Sequence, residues 1–147
     1  MDDEIEMAWL GGLVDGEGSI AVARQTRKGY RTPIYYPKLV LIMTHGPTIQ
    51  RAARILGCSY KRKRSRNPLR HKDVYGIHLS AGPAIEAIRK LHPFLFTKQR
   101  QAEVAIEFYR QCHRPRGTGP VPVEMAKLRE KYFKQMAALN LKGPMAA

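Results

Sequence analysis

The chain has 147 residues, 44% of them hydrophobic, and a formal net charge of +14. The apolar fraction excludes a disordered chain and is enough for a packed core, so we expect one domain over residues 1–147. No apolar run approaches the roughly 20 residues that span a bilayer, and the acidic N-terminus is unlike a secretory signal. We therefore expect a soluble intracellular protein with no membrane partner. Cys58 and Cys112 match no metal-binding spacing, which argues against a structural zinc site.

The positive charge is concentrated in one central segment. Gly18 to Lys72 contains fourteen of the 26 Lys and Arg residues and none of the 12 Asp and Glu residues. Because a solvated surface usually mixes both signs, this segregation indicates a polyanionic partner. A generally basic protein is the competing interpretation, and an anionic membrane surface is a third, but no basic amphipathic helix supports it.

The hydrophobic pattern alternates between helical and strand periodicity along the chain. Apolar residues three to four positions apart indicate helices, and alternating apolar residues bounded by Gly, Pro or Asn indicate strands. Two strand pairs joined by a helix are typical of an α+β fold whose antiparallel sheet carries helices on one face. In chain order, the pattern predicts a helix over 5–14, strands over 19–26 and 34–44, a helix over 48–56 capped by Thr48, strands over 60–66 and 72–79, helices over 84–91 and 98–112, a loop over 114–122 and a final helix over 123–139.

The first predicted helix ends in an unusual combination of glycines and acids. Ala8, Gly12 and Gly16 are spaced so that three small residues share one helix face, where another helix can approach closely. Each Gly costs about 1 kcal/mol of helix stability relative to Ala, so a helix contact is expected to compensate. Asp15 and Glu17 lie at the helix C-terminus, where carboxylates are disfavoured. A divalent cation would offset this cost, because Mg²⁺ prefers carboxylate oxygens.

The stretch from Leu10 to Gly18 resembles the motif that names the LAGLIDADG homing endonucleases. The resemblance extends to the order of the elements that follow and to the segment 93–99 before a long helix, and it weakens from Arg114 onward. Five of the nine motif positions match outright and four are mild replacements. The outright matches are Leu10, Gly12, Leu13, Asp15 and Gly18.

The resemblance implies an αββαββα fold with a saddle-shaped antiparallel sheet that lies in the DNA major groove. It implies that Glu17 binds the catalytic Mg²⁺, which Mn²⁺ or Ca²⁺ can replace in binding, and that the carbonyl of Gly16 shares the metal. Lys98 matches a basic residue near the scissile phosphates, and Asp15 matches an acid that is usually structural. His45 lies where the family often has a polar residue that orients water, although an ordinary turn histidine explains it as well.

In the family that this motif resembles, a single copy implies a homodimer, whose two-fold symmetry would give a nearly palindromic target. The paired sites would make a double-strand break with short 3′ overhangs. The protein would act in the cytoplasm or nucleoid of a bacterium or archaeon, or in an organelle. The motif helix would form the subunit interface, and its expected contact residues are Ala8, Gly11, Gly12, Asp15 and Gly16.

Alternation along the strands predicts which side chains meet DNA. If Glu17 faces the DNA, then Ser19, Ala21, Ala23, Gln25 and Arg27 share its face. In the third strand the arginines are candidates for base readout, because Arg can bridge guanine O6 and N7. Lys61 and Lys63 alternate with these arginines, so we expect them to face the other side of the strand and to meet phosphates or solvent. The other expected DNA contacts are Tyr60, Arg62, Arg64 and Arg66 in that strand and Arg31, Lys38, Arg70 and Lys72 near the loops.

Two other functions remain open from the sequence. One is an intron-splicing maturase, whose partner would be intron RNA. The other is a DNA-binding relative that has lost cleavage. Retention of Glu17 argues against the second, since a decayed enzyme often loses its metal ligand.

Overall fold

The computed structural model describes residues 2–141, so residues 1 and 142–147 of the predicted domain lie outside the described range. Within residues 2–141, no helix is long and apolar enough to cross a membrane. A single 3₁₀ turn, His92–Phe94, separates the third and fourth helices. The remaining elements are α1 Asp3–Glu17, β1 Gly18–Gln25, β2 Ile34–Met43, α2 Gly46–Leu56, β3 Lys61–Lys63, β4 Val74–Ser80, α3 Ala81–Leu91, α4 Gln99–Cys112 and α5 Val123–Leu139.

Helix α1 is longer than the pattern predicts at both ends. The Asp2 carboxylate accepts the N–H of Glu4 at 3.0 Å and caps the helix, and acidic residues in the first turn suit its positive end. The helix ends at Gly18, whose N–H donates to the carbonyl of Val14. Leu10 and Val14 are buried in the core, so the helix is fixed against the rest of the chain by its apolar side.

The four strands form one antiparallel sheet in the order β1-β2-β4-β3. One face of the sheet is buried by the helices, through apolar side chains such as Ile20, Leu39 and Ile77. The predicted α+β architecture, with an antiparallel sheet and helices on one face, is confirmed. The opposite face, here called the open face, carries Ser19, Ala21, Ala23 and Gln25 of β1, Ile34, Tyr36, Lys38, Val40 and Ile42 of β2, Val74, Gly76, His78 and Ser80 of β4, and Lys61 and Lys63 of β3.

Helix α2 begins two residues earlier than predicted. His45 precedes it, and Pro47 occupies its first turn, where a missing N–H has no cost. Thr48 is therefore inside the helix and does not cap it; its hydroxyl lies 2.6 Å from Nδ1 of His45. Gly57 ends the helix with a φ of 66°, in the left-handed region that favours glycine, as predicted.

Strand β3 has three residues, whereas the sequence pattern predicts a strand over 60–66. The Asp73 carboxylate accepts the N–H of Ser65 at 2.8 Å and binds Arg62 through its guanidinium at 2.6 Å. The chain then turns at Asn67, whose carbonyl accepts the N–H groups of residues 70 and 71. These bonds satisfy the backbone outside the sheet, so the ladder stops at Lys63.

Candidate active site and nucleic-acid interface

Glu17 is the last residue of α1, and its side chain lies where two surface clefts meet. The carboxylate is exposed and has no hydrogen bond or ion pair within residues 2–141. The larger cleft has a volume of about 500 Å³ and is lined by Gly16, Glu17, Gly18, Ser19, Lys98, Leu139 and Asn140. The second has a volume of about 360 Å³ and is lined by Glu17, Ile42, Met43, Thr44 and Val74.

Lys98 is held beside Glu17 by the backbone at the end of α1. Its ammonium group donates to the carbonyl of Asp15 at 2.5 Å, where the unsatisfied carbonyls of a helix C-terminus favour a cation. The structure therefore brings together three predicted groups in the larger cleft, namely the Glu17 carboxylate, the Gly16 backbone and the Lys98 side chain.

Asp15 joins the end of α1 to the start of α4. Its carboxylate accepts the N–H of Phe96 at 2.8 Å and the N–H of Lys98 at 2.9 Å. These bonds offset the cost of an acid at a helix C-terminus and agree with the structural role that the motif implies. The carboxylate is thus turned into its own chain, and a place for Asp15 in a subunit interface stays a prediction.

His45 lines neither of the two clefts. It lies at the start of α2, and the bond from its ring to Thr48 fixes it there. The preceding residue, Thr44, lines the second cleft beside Glu17. A catalytic role for His45 stays a prediction.

The C-terminal end of α5 reaches the larger cleft, beyond the residues of the predicted site. Leu139 and Asn140 line it. The amide of Asn140 donates to the carbonyl of Ile20 at 2.9 Å, which ties this helix end to β1. No local pattern signals this contact, because it depends on how a helix more than a hundred residues away packs on the sheet.

The small residues of α1 fall into two groups. Ala8, Gly12 and Gly16 are exposed, and a Cβ placed on either glycine would meet nothing within 4 Å. Gly11 is different, because a Cβ there would lie 2.7 Å from the Cβ and the carbonyl oxygen of Phe94. Gly11 is therefore buried inside its own chain, and its predicted place in a subunit interface is wrong.

The open face carries cations and no acid among its strand residues. Ser19, Gln25 and Lys38 lie on it, as the alternation of β1 predicts for the first two. Lys61 pairs with Gly76 and Lys63 with Val74, and directly opposed residues of an antiparallel pair share a face. Lys61 and Lys63 therefore lie on the open face. The prediction that the arginines of this strand, and not these lysines, face that side is wrong for Arg62.

Arg62 and Tyr60 lie on the helix side of the sheet. Arg62 is opposite Tyr75, with its guanidinium 5.8 Å from that ring, and Tyr75 packs close to Gly46 of α2. The Tyr60 hydroxyl accepts a hydrogen bond from Gln50 of the same helix at 3.0 Å. The expectation that both side chains share the DNA-facing surface with Ser19 is wrong.

The remaining predicted DNA contacts lie in the two hairpin loops. Strand β1 ends at Gln25, so Arg27 belongs to the β1–β2 loop and not to a strand face; its guanidinium lies 5.7 Å from the ring of Tyr30. The exposed basic side chains of these loops are Arg27, Lys28 and Arg31 after β1 and Arg64, Arg66, Arg70 and Lys72 after β3.

No protein-family model and no curated protein matches the sequence. Solved structures do match. The homing endonuclease I-CvuI, solved in complex with its target in the presence of Ca, has a TM-score of 0.77 at 20% identity, over 97% of this chain and 86% of that chain. The archaeal intron-encoded homing endonuclease I-Vdi141I, complexed with DNA, has a TM-score of 0.75 at 14% identity, over 97% and 88%. The meganuclease I-SmaMI, bound to uncleaveable DNA, has a TM-score of 0.64 at 15% identity, over 93% of this chain but 45% of that chain.

These likenesses define the fold. The chain has the fold of the homing endonucleases, over nearly its whole length. The motif in residues 10–18 predicts the LAGLIDADG type of homing-endonuclease fold, and that prediction of the fold is confirmed.

Proposed function

We propose that this protein is a site-specific, metal-dependent endonuclease of double-stranded DNA that acts as a homodimer. The observation that carries the proposal is the unpaired Glu17 carboxylate at the junction of two clefts, with Lys98 in the larger one. A carboxylate without a partner in the described chain, beside a basic sheet face, could hold a divalent metal that would supply Lewis-acid chemistry at a phosphate.

The donor set fits a hard divalent cation such as Mg²⁺. Glu17 offers carboxylate oxygens and Gly16 a backbone carbonyl, both of which Mg²⁺ prefers, and Mn²⁺ or Ca²⁺ would occupy the same donors. Within residues 2–141, no group of three or more His, Cys, Asp or Glu side chains could hold a metal. The remaining ligands would come from DNA phosphates, water and a second subunit. When bound, the metal activates water and stabilises charge on the attacked phosphate.

This chain's own residues would position and neutralise the phosphate. Lys98 is anchored through the Asp15 carbonyl and places a positive charge in the cleft that Glu17 lines. Such a preorganised cation stabilises the negative charge that develops on the leaving oxygen. The Lys38, Lys61 and Lys63 side chains and the basic loops would hold the duplex against the open face.

The exposed small residues of α1 support the homodimer, because they leave one helix face open to a second copy of the same helix. The chain aligns with 86% of I-CvuI and with 45% of I-SmaMI. A two-fold axis along the exposed stripe of α1 would bring two Glu17 side chains together, one for each DNA strand. The target would then be nearly palindromic, and the products would carry short 3′ overhangs.

The experiment is selection from a pool of randomised double-stranded DNA, followed by cleavage of the selected sequence with Mg²⁺. We expect one enriched, nearly palindromic site and double-strand cleavage that EDTA abolishes. Binding should weaken steeply as salt rises, because phosphate contacts release counterions. Preferential binding of a structured intron RNA over the selected DNA, or selected DNA that stays intact with Mg²⁺ and with Mn²⁺, would contradict the proposal.

A further inference from the structure

His78 occupies the interior of the open face. Strand β4 lies between β2 and β3, and the register aligns His78 with Val40 of β2, which is aligned in turn with Ser19 of β1. The His78 side chain is exposed and forms no hydrogen bond or ion pair within residues 2–141. Its ring nitrogens are therefore free to meet a ligand that lies on the sheet.

A glycine makes room for this ring. A Cβ on Gly76 would lie 3.0 Å from Nε2 of His78 and 3.4 Å from Cγ1 of Ile42. The imidazole thus lies over the backbone of Gly76, along the sheet surface. A Cβ at position 76 would push the ring back by a few tenths of an ångström, so glycine allows the imidazole to lie this close to the backbone.

The surroundings of the ring suit a base edge better than a phosphate. Val40 and Ile42 flank it, and apolar side chains contact thymine methyl groups but offer nothing to a phosphate oxygen. The nearest strand cations are Lys38, beside it on the face, and Lys61, at the β3 edge. The cleft in front of the ring has a volume of about 250 Å³ and is lined by Tyr36, Lys38, Val40, His78, Leu79 and Ser80.

We infer that His78 reads one purine in each half of the target, with a ring N–H donating to N7. This inference rests on the proposed function and adds a specificity-determining residue to it. In the major groove adenine and guanine present N7 as an acceptor, cytosine presents only a donor, and thymine presents O4 as an acceptor beside its C5-methyl group, so the discrimination is mainly against cytosine. One hydrogen bond of this kind discriminates roughly three- to tenfold against the wrong base.

The test compares the sites that the wild type and His78→Ala select from the same randomised double-stranded DNA pool. We expect His78→Ala to lose a preference of roughly three- to tenfold for a purine over cytosine at one position in each half-site, with the other positions unchanged. His78→Gln should keep a purine there and favour adenine, because Gln pairs with adenine N6 and N7. Gly76→Ala, which pushes the ring back by a few tenths of an ångström, should weaken the preference at the same position.

The matched control is His113→Ala, which removes an exposed histidine stacked on Tyr109 of α4, 4.5 Å between ring centroids, away from the sheet face. It should leave the selected sequence unchanged. An unchanged sequence for His78→Ala, or a loss of affinity that is uniform over all positions, would overturn the inference while leaving the proposed function intact. A wild type that selects no DNA would instead overturn the proposed function itself.

Discussion

Two acids in the last turn of α1 have opposite surroundings. Asp15 accepts two backbone N–H groups from the segment that leads into α4. Glu17, two residues later, is exposed and without a partner within residues 2–141. A helix C-terminus disfavours both charges, but only Asp15 is compensated by its own chain. The difference assigns Asp15 to structure and leaves Glu17 available for chemistry.

Replacing Asp15 with Asn should therefore lower stability. Asn has one accepting oxygen, so its amide nitrogen would face one of the two N–H groups of residues 96 and 98 and leave it without an acceptor. We expect a loss of about 1–3 kcal/mol in the free energy of unfolding, measured by urea denaturation. Glu86→Gln, an exposed change on α3, is the control and should be nearly neutral. Equal midpoints for Asp15→Asn and the wild type would contradict the structural role.

At the scale of elements, the Glu130 carboxylate of α5 bonds to both β1 and β2, in addition to the bond from Asn140 to β1. Glu130 accepts from Arg24 at 2.7 Å and from the Tyr35 hydroxyl. The Tyr35 bond first, and the Arg24 pair second, hold the pKa of Glu130 below its ordinary value of 4.5. This anchor fixes the helix whose far end carries Asn140 into the larger cleft.

The lowered pKa makes stability depend on acid. Because the folded state favours ionised Glu130, its contribution is present above the ordinary pKa of 4.5 and is lost as the pH falls through the lower folded-state value. We expect Glu130→Gln to flatten the fall in unfolding free energy below pH 4.5, measured by urea denaturation across that range. A residual slope should persist, since the pKa values of Asp73 and Glu107 are also lowered. An identical pH profile in the variant would contradict this contribution.

Elements with an apolar pattern could be predicted from the sequence, and those without one could not. Strand β1 alternates small residues with the larger Ile20 and Val22, which are buried, so its faces follow from the sequence alone. The third strand is a run of basic residues that no apolar side chain orients. Pairing with β4 sets its register, and the bond from Ser65 to Asp73 accompanies its end. Because these are tertiary contacts, the sequence pattern predicts the wrong face for Lys61, Arg62 and Lys63.

The residues of the candidate site also fall into two groups, those that a sequence motif predicts and those that only tertiary packing brings to the cleft. Glu17, Gly16 and Lys98 could be found because they belong to motifs that are continuous in the sequence. Asn140 could not, because only the packing of α5 on β1 brings it to the cleft. Likewise, spacing alone does not distinguish Gly11 from Gly12, and only the position of Phe94 makes one of them internal.

At the scale of the whole molecule, substitutions at Gly11 and Gly12 distinguish an effect on folding of the subunit from an effect on dimer formation. Gly12→Leu meets open space and gains helix propensity, so the subunit should stay folded and gain up to about 1 kcal/mol. A bulky side chain on the stripe should nevertheless prevent close approach of two α1 helices. We expect a folded monomer in sedimentation equilibrium, with DNA cleavage lost.

The neighbouring change Gly11→Ala is the matched comparison. Its Cβ would clash with Phe94 at 2.7 Å, so it should destabilise the subunit itself. A Gly12→Leu protein that stays dimeric and cleaves DNA would contradict an interface along the exposed stripe.

The central claim is that Glu17 binds the catalytic metal, and it is tested most directly by Glu17→Gln. The measurement is cleavage of the DNA sequence selected by the wild type, with Mg²⁺, alongside binding of the same DNA without cleavage. Loss of the carboxylate should lower the cleavage rate by about 10²–10³-fold or more while binding is retained, because the open face and the basic loops are unchanged. Cleavage at the wild-type rate by Glu17→Gln would contradict the claim.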